Sequence, residues 1–165
     1  MSEQQPPTGL TPLHIDTIEP GDRFALGSYV MRRDEVVDFA SRYDPQPYHL
    51  NDAAAAAHPF FERLSASGWH TTMIMHLLWF RFAESHALKI LAGVEVEQIR
   101  WMRPVYPDDV LTGETEFLKV RASQSKPDRS LATIRTTLTN QAGETVASMV
   151  VTAAFMRSPD SIQAA

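Results

Sequence analysis

The run GWHTTMIMHLLWFRFAESHALKIL, residues 68–91, decides how the rest of the chain is read. It is apolar on most sides between Met73 and Phe82, yet His70, His76, Arg81, Glu84, His86 and Lys89 interrupt it. Each charge at bilayer depth would cost about 2.5–3.5 kcal/mol, so the run reads as a helix buried in protein, with no membrane span. Ser67 can cap its start, which leaves the amides of Gly68 and its neighbours at the positive end of the helix. Met73, Met75, Trp79, Phe80 and Phe82 are most simply core.

Downstream the character changes. GVEVEQIRWMRPV (93–105), DVLTGETEFLKVRAS (109–123), SLATIRTTLTN (130–140) and ETVASMVVTAAFM (144–156) are strand-like, and SKPDRS and NQAGE separate the last three as hairpin turns. Ala132, Ile134, Thr136 and Leu138 fall on one face of the third run, whereas VASMVVTAAF is apolar or small on both faces and fits a central strand. Upstream, RFALGSYVM (23–31) reads as a strand and RDEVVDFASRY (33–43) as a helix that Pro45 ends. A short helix over the alanines 53–57 has Asn51 or Asp52 for a cap. A long helix that needs cover on nearly every side, beside one antiparallel meander, predicts a sheet wrapped around it, an α+β fold.

The chain has 165 residues, enough for one sizeable core, and we read a single domain over 13–157 with flexible ends at 1–12 and 158–165. A net charge of -5 gives no overall attraction for nucleic acid, and the absence of cysteine removes thiol nucleophiles, disulfides and thiolate metal sites. His70 and His76, six apart, fall on different faces of the helix and do not read as a metal pair. MSEQQPPTGLTP lacks the basic start and apolar run of a secretory signal, which leaves the cytoplasm as the expected compartment.

The chemistry is expected in DPQPYH, residues 44–49. Two prolines fix two φ angles, so Asp44 and His49 are expected on a stiff, extended loop and lose little entropy on being aligned. A carboxylate and an imidazole converging on one small molecule can hold a water, take its proton and return one elsewhere. The bland reading makes Asp44 a turn cap and His49 a satisfied side chain. Gly68 adds a bare N–H that can approach a carbonyl oxygen as negative charge develops on it.

FASRYDPQPYHLNDAAAA, then SASGWHTTMIMHLL, then IRWMRPVYPDDVL, in that order and at these intervals, resembles the MaoC-like acyl dehydratases, a group that includes (R)-specific enoyl-CoA hydratases. The resemblance covers roughly residues 18–157. It implies a hot-dog fold, two such units paired as a homodimer, and no cofactor or metal. It implies catalytic roles for Asp44, His49 and the Gly68 amide in reversible addition of water across the 2,3 double bond of an acyl thioester, carried by CoA or acyl carrier protein. Ser67, Trp69, Met73 and His76 are the expected substrate contacts. Where the family commonly has His before the glycine this chain has Ser67, where it often has Asn in the loop it has Gln46, and His76 stands where true hydratases commonly have serine. The competing readings are a hot-dog acyl-CoA thioesterase and a non-catalytic acyl-CoA-binding or scaffold subunit.

Overall fold

A computed structural model describes residues 12–159 and 161, so nearly all of the N-terminal segment expected to be loose lies outside the described residues. In chain order the elements are β1 (Arg23–Val30), α1 (Arg33–Tyr43), α2 (Asp52–Ala56), α3 (Gly68–Ser85), β2 (Ile90–Trp101), β3 (Val110–Ala122), β4 (Arg129–Thr139) and β5 (Thr145–Met156). Single 3₁₀ turns lie at Ile15–Thr17 and Pro47–His49. The strands form one antiparallel sheet in the order β1-β3-β4-β5-β2. The sheet wraps around α3, which is the α+β hot-dog arrangement expected.

Period-two burial builds the inner face. Leu111, Thr115 and Phe117 of β3 and Ala132, Ile134, Thr136 and Leu138 of β4 point inward, with exposed or half-buried residues between them. Met75, Leu78 and Phe82 of α3 meet this face, and Phe155 closes the core from β5. Close approach of helix to sheet rests on Gly113, where a methyl group would come within 3.1 Å of the Leu26 Cβ and 3.2 Å of a Leu78 methyl. α3 stops without glycine. Ala87 takes the left-handed conformation at φ 52°, and Leu88 N–H reaches back to the Ala83 carbonyl at 2.8 Å.

The order of strands puts β2 at an edge although it directly follows the central helix. Its outer residues have no neighbouring strand, and Leu91, Val94 and Val96 are exposed. One flank of the helix stays uncovered among the described residues, for a topological reason: the sheet ends at β2. Trp69, Met73, His76 and Phe80 form an exposed stripe along α3, so Met73 and Phe80 lie outside the core while Met75 and Phe82 lie inside it. Near the C-terminus, Arg157 and the Ser158 N–H both bind the Asp16 carboxylate, at 2.8 and 2.7 Å. No helix among the described residues is long and apolar enough to cross a membrane.

Candidate active site

α1 runs into the site. Its C-cap is Asp44, whose N–H bonds the Ala40 carbonyl at 3.0 Å while its backbone leaves the helix at φ -152°. The proline that follows disfavours another helical residue at 44. The chain then turns at once, with Gln46 N–H to the Asp44 carbonyl at 2.7 Å and His49 N–H to the Gln46 carbonyl at 2.9 Å. The loop is therefore a tight 3₁₀ turn and not the extended one expected, and these bonds fold Asp-Pro-Gln-Pro-Tyr-His back so that the acid and the imidazole face each other.

His49 is buried and its ring is oriented by the backbone. Nδ1 lies 2.8 Å from the Ser65 carbonyl oxygen. A carbonyl only accepts, so Nδ1 carries the proton, and Nε2 presents its lone pair when the ring is neutral. That Nε2 stands 3.6 Å from Asp44 Oδ2, beyond a direct hydrogen bond and within reach of a shared small molecule. The Tyr48 ring meets the imidazole edge-on at 4.5 Å, and Phe61 stacks on Tyr48 at 4.8 Å, so an aromatic wall shields the far side of His49.

The helix start supplies the third element. Ser67 caps α3 as its sequence position predicts, accepting from Trp69 N–H at 3.1 Å. Its hydroxyl proton is directed onto Asp44 Oδ2 at 2.7 Å. Ser67 is fully buried, so one hydroxyl ties the positive end of the helix to the carboxylate of the loop. The Ser67 carbonyl accepts from Thr71 N–H at 3.0 Å and from Thr71 Oγ1 at 3.3 Å. That fixes the peptide plane, and the Gly68 N–H on the opposite edge of the same plane is directed away from the helix body.

The four sequence-predicted groups Asp44, His49, Ser67 and Gly68 therefore come together at one end of α3. Trp69 is half exposed beside them. Met73 and His76 continue along the outer stripe of the helix, and His76 reaches a separate apolar cavity of about 100 Å³ between α3 and the sheet. Trp79, Ile90, Ile134, Met149 and Val151 line that cavity. Neither Asp44 nor His49 does. Sequence reasoning missed Trp101, whose indole lies against Gly68, while His70 is buried against Phe39, with rings 4.7 Å apart and nearly parallel. A strand aromatic such as Trp101 carries no local signal of its distant contact. Among the described residues no group of three or more histidine and carboxylate side chains is gathered as metal coordination needs.

Comparison with known proteins gives a consistent family. The model of the MaoC like domain matches residues 15–142. The uncharacterized protein YdeM of Bacillus subtilis is 31% identical over 126 residues, 76% of this chain and 84% of that one. The solved structure of a MaoC-like dehydratase from Rhodospirillum rubrum is similar with a TM-score of 0.79 and 33% identity, covering 89% of this chain and 99% of that one. An (R)-hydratase from A. caviae involved in PHA biosynthesis is similar with a TM-score of 0.64 and 25% identity, covering 83% and 96%.

Proposed function

The chain belongs to the MaoC-like domain family, and from that premise we propose that it is a hydro-lyase that adds water reversibly across the 2,3 double bond of an acyl thioester. The observation that carries this reading is the sharing of one carboxylate: Asp44 Oδ2 is held by the Ser67 hydroxyl at 2.7 Å and faces His49 Nε2 at 3.6 Å.

In the hydration direction a water lies between Asp44 and His49. With the ring neutral and Nδ1–H engaged with Ser65, Nε2 carries the lone pair and takes a proton as the water oxygen bonds C3. Electron density moves from the double bond to the thioester oxygen, where the Gly68 N–H stabilises the developing negative charge. Asp44 orients the water, and protonation at C2 from this acid–imidazole pair completes the addition. Dehydration runs the same steps backwards. The bonds from Ser67 and Ser65 keep acid and base aligned before substrate arrives, so little reorganisation is left for the reaction itself.

The acyl tail runs beside Trp69 and Met73 toward the cavity that His76 borders. His76 there makes the pocket narrower and more polar at its mouth than serine would. The thioester carrier is CoA or acyl carrier protein. The working unit is a homodimer in which a second copy covers the α3 stripe and the β2 edge, since an exposed twelve-residue edge strand with adjacent apolar side chains is a surface for pairing.

The test mixes purified protein with a short trans-2-enoyl-CoA and follows enoyl absorbance and thiol release together. The reading requires loss of absorbance without thiol release. Thiol release would instead make the protein a thioesterase. No turnover at any chain length, with acyl-CoA still raising the melting temperature, would make it a binding subunit.

A further inference from the structure

The Gly68 amide is held by a residue that stands outside the loop and the helix. If a Cβ were added to Gly68 it would lie 2.8 Å from both Cδ2 and Cε2 of Trp101, and 3.1 Å from its Nε1. Cδ2 and Cε2 form the fused bond at the middle of the indole, so the ring presses its face on the glycine and cannot swing a free end aside. It is also pinned. Trp101 Nε1–H donates to Thr72 Oγ1 at 3.1 Å, Thr72 Oγ1–H donates to the Gly68 carbonyl at 3.0 Å, and Trp69 packs against Trp101 edge-on at 5.2 Å. Trp101 is the last residue of β2, the edge strand, and is about half exposed, with 47% of its surface open. One face of the indole therefore bears on Gly68, and the rest of the ring is open beside the helix mouth.

We propose that Trp101 is a positioning residue for the Gly68 amide. Through its face on the Gly68 Cα and its bond to Thr72 it closes a ring of contacts that sets the first turn of α3 against β2, and with it the direction of the Gly68 N–H. On this account residue 68 is glycine because the indole occupies the space of a side chain. The amide itself would serve equally well from alanine. The inference rests on the proposed role of the Gly68 N–H as the donor to the thioester oxygen. It ties the catalytic end of the helix to the edge strand, so that whatever holds β2 in place also holds the donor.

A double-mutant cycle tests this with Gly68→Ala, Trp101→Ala and the pair together, read by melting temperature and by kcat and KM for enoyl-CoA hydration. In the presence of Trp101, Gly68→Ala is expected to lower the melting temperature and to lower kcat about a hundredfold, with KM moved less. In the Trp101→Ala background the same substitution is expected to leave the melting temperature unchanged or raised, because alanine restricts the unfolded chain and meets no ring. There kcat should change by no more than about threefold. Trp101→Ala alone is expected to lower kcat about tenfold. Trp101→Phe, which keeps an aromatic face but loses the bond to Thr72 and one ring of the indole, should recover part of that loss.

Equal penalties from Gly68→Ala in both backgrounds, in melting temperature and kcat alike, would overturn the proposal. So would wild-type kcat in Trp101→Ala. Should Trp101→Ala fail to fold, Thr72→Val loosens the same ring and is expected to reduce the Gly68→Ala penalty. Should wild-type protein hydrate no enoyl-CoA, the functional reading fails by itself. The melting-temperature cycle then still decides whether Trp101 is what the added methyl meets.

Discussion

Around the first turn of α3 many of the side chains withdrawn from water are polar: His49, Ser65, Ser67, His70, Thr71 and Thr72. Along the outer flank of the same helix and on β2 the side chains left in water are apolar: Trp69, Met73, Phe80, Leu91, Val94 and Val96. The two regions depart from ordinary burial in opposite directions, and they differ in how the departure is compensated. At the helix mouth the chain satisfies nearly every group itself. Ser67 bridges Trp69 N–H and Asp44, Thr71 and Thr72 donate back to the Ser67 and Gly68 carbonyls, and His49 donates to Ser65. On the flank none of the described residues covers the apolar surface. A self-satisfied polar cluster is preorganised for chemistry, whereas an uncovered apolar face is prepared for a partner.

The largest expected effects come from breaking the polar cluster. Asp44→Asn and His49→Ala should each lower kcat by about 10²–10⁴ while the protein stays folded by circular dichroism, as removal of a positioned acid or base does. Ser67→Ala should lower kcat by roughly tenfold or more and cost about 1 kcal/mol of stability, because it removes the helix cap together with the donor that aims Asp44. If kcat survives all three changes, the cluster is structural and the contrast between the two regions loses its functional meaning.

The flank is tested by charge. Phe80→Lys and Val96→Lys place ammonium groups on surface that is already exposed, so the isolated chain should melt within a few degrees of wild type. In a dimer the same groups would be buried without a counter-charge, a cost of about 2 kcal/mol or more, equal to a thirtyfold or greater weakening of association. Sedimentation velocity should then show dimeric wild type and monomeric variants. Variants that sediment as wild type does would mean that the apolar stripe is not the interface.

What could be read from the sequence was whatever local chemistry encodes. The serine cap, the proline-stiffened loop, the inward period of Ala132 to Leu138 and the helical run from Gly68 each announce themselves within a few residues, and each is found where expected. The convergence of Asp44 and His49 comes from a tight turn where the prolines suggested an extended loop. The contacts that escaped are long-range or concern partners. Trp101 reads as one more strand aromatic until the register of β2 on β5 carries it to Gly68. Met73 and Phe80 have the same hydropathy as Met75 and Phe82, and periodicity cannot distinguish a core from an exposed apolar face. The dual service of Ser67, to the helix and to Asp44, was half legible: its position announced the cap and gave no sign of the carboxylate.

His70 is the place where the polar cluster is not self-satisfied, and it gives the smallest effect. Its Nδ1 is buried with no hydrogen-bond partner among the described residues, and its ring stacks on Phe39 of α1, the helix that delivers Asp44. Burial pushes its pKa below the usual 6.5, with Glu35 opposing in part. The folded protein therefore holds His70 neutral over a range in which the unfolded chain takes up a proton. Above about pH 6.5 both states are neutral and the residue imposes no pH dependence. As pH falls through 6.5 only the unfolded state gains the proton, so stability declines, by at most about 1.4 kcal/mol per pH unit, until the lowered folded value is reached. His70→Leu removes this proton and should flatten the fall between pH 7.5 and 5.5. Urea denaturation midpoints for both proteins at the two pH values measure the difference, and the remaining histidines cancel in the comparison. Parallel slopes would mean that His70 titrates alike in both states, and the helix mouth would then be a wet site instead of the dry one that its buried hydroxyls describe.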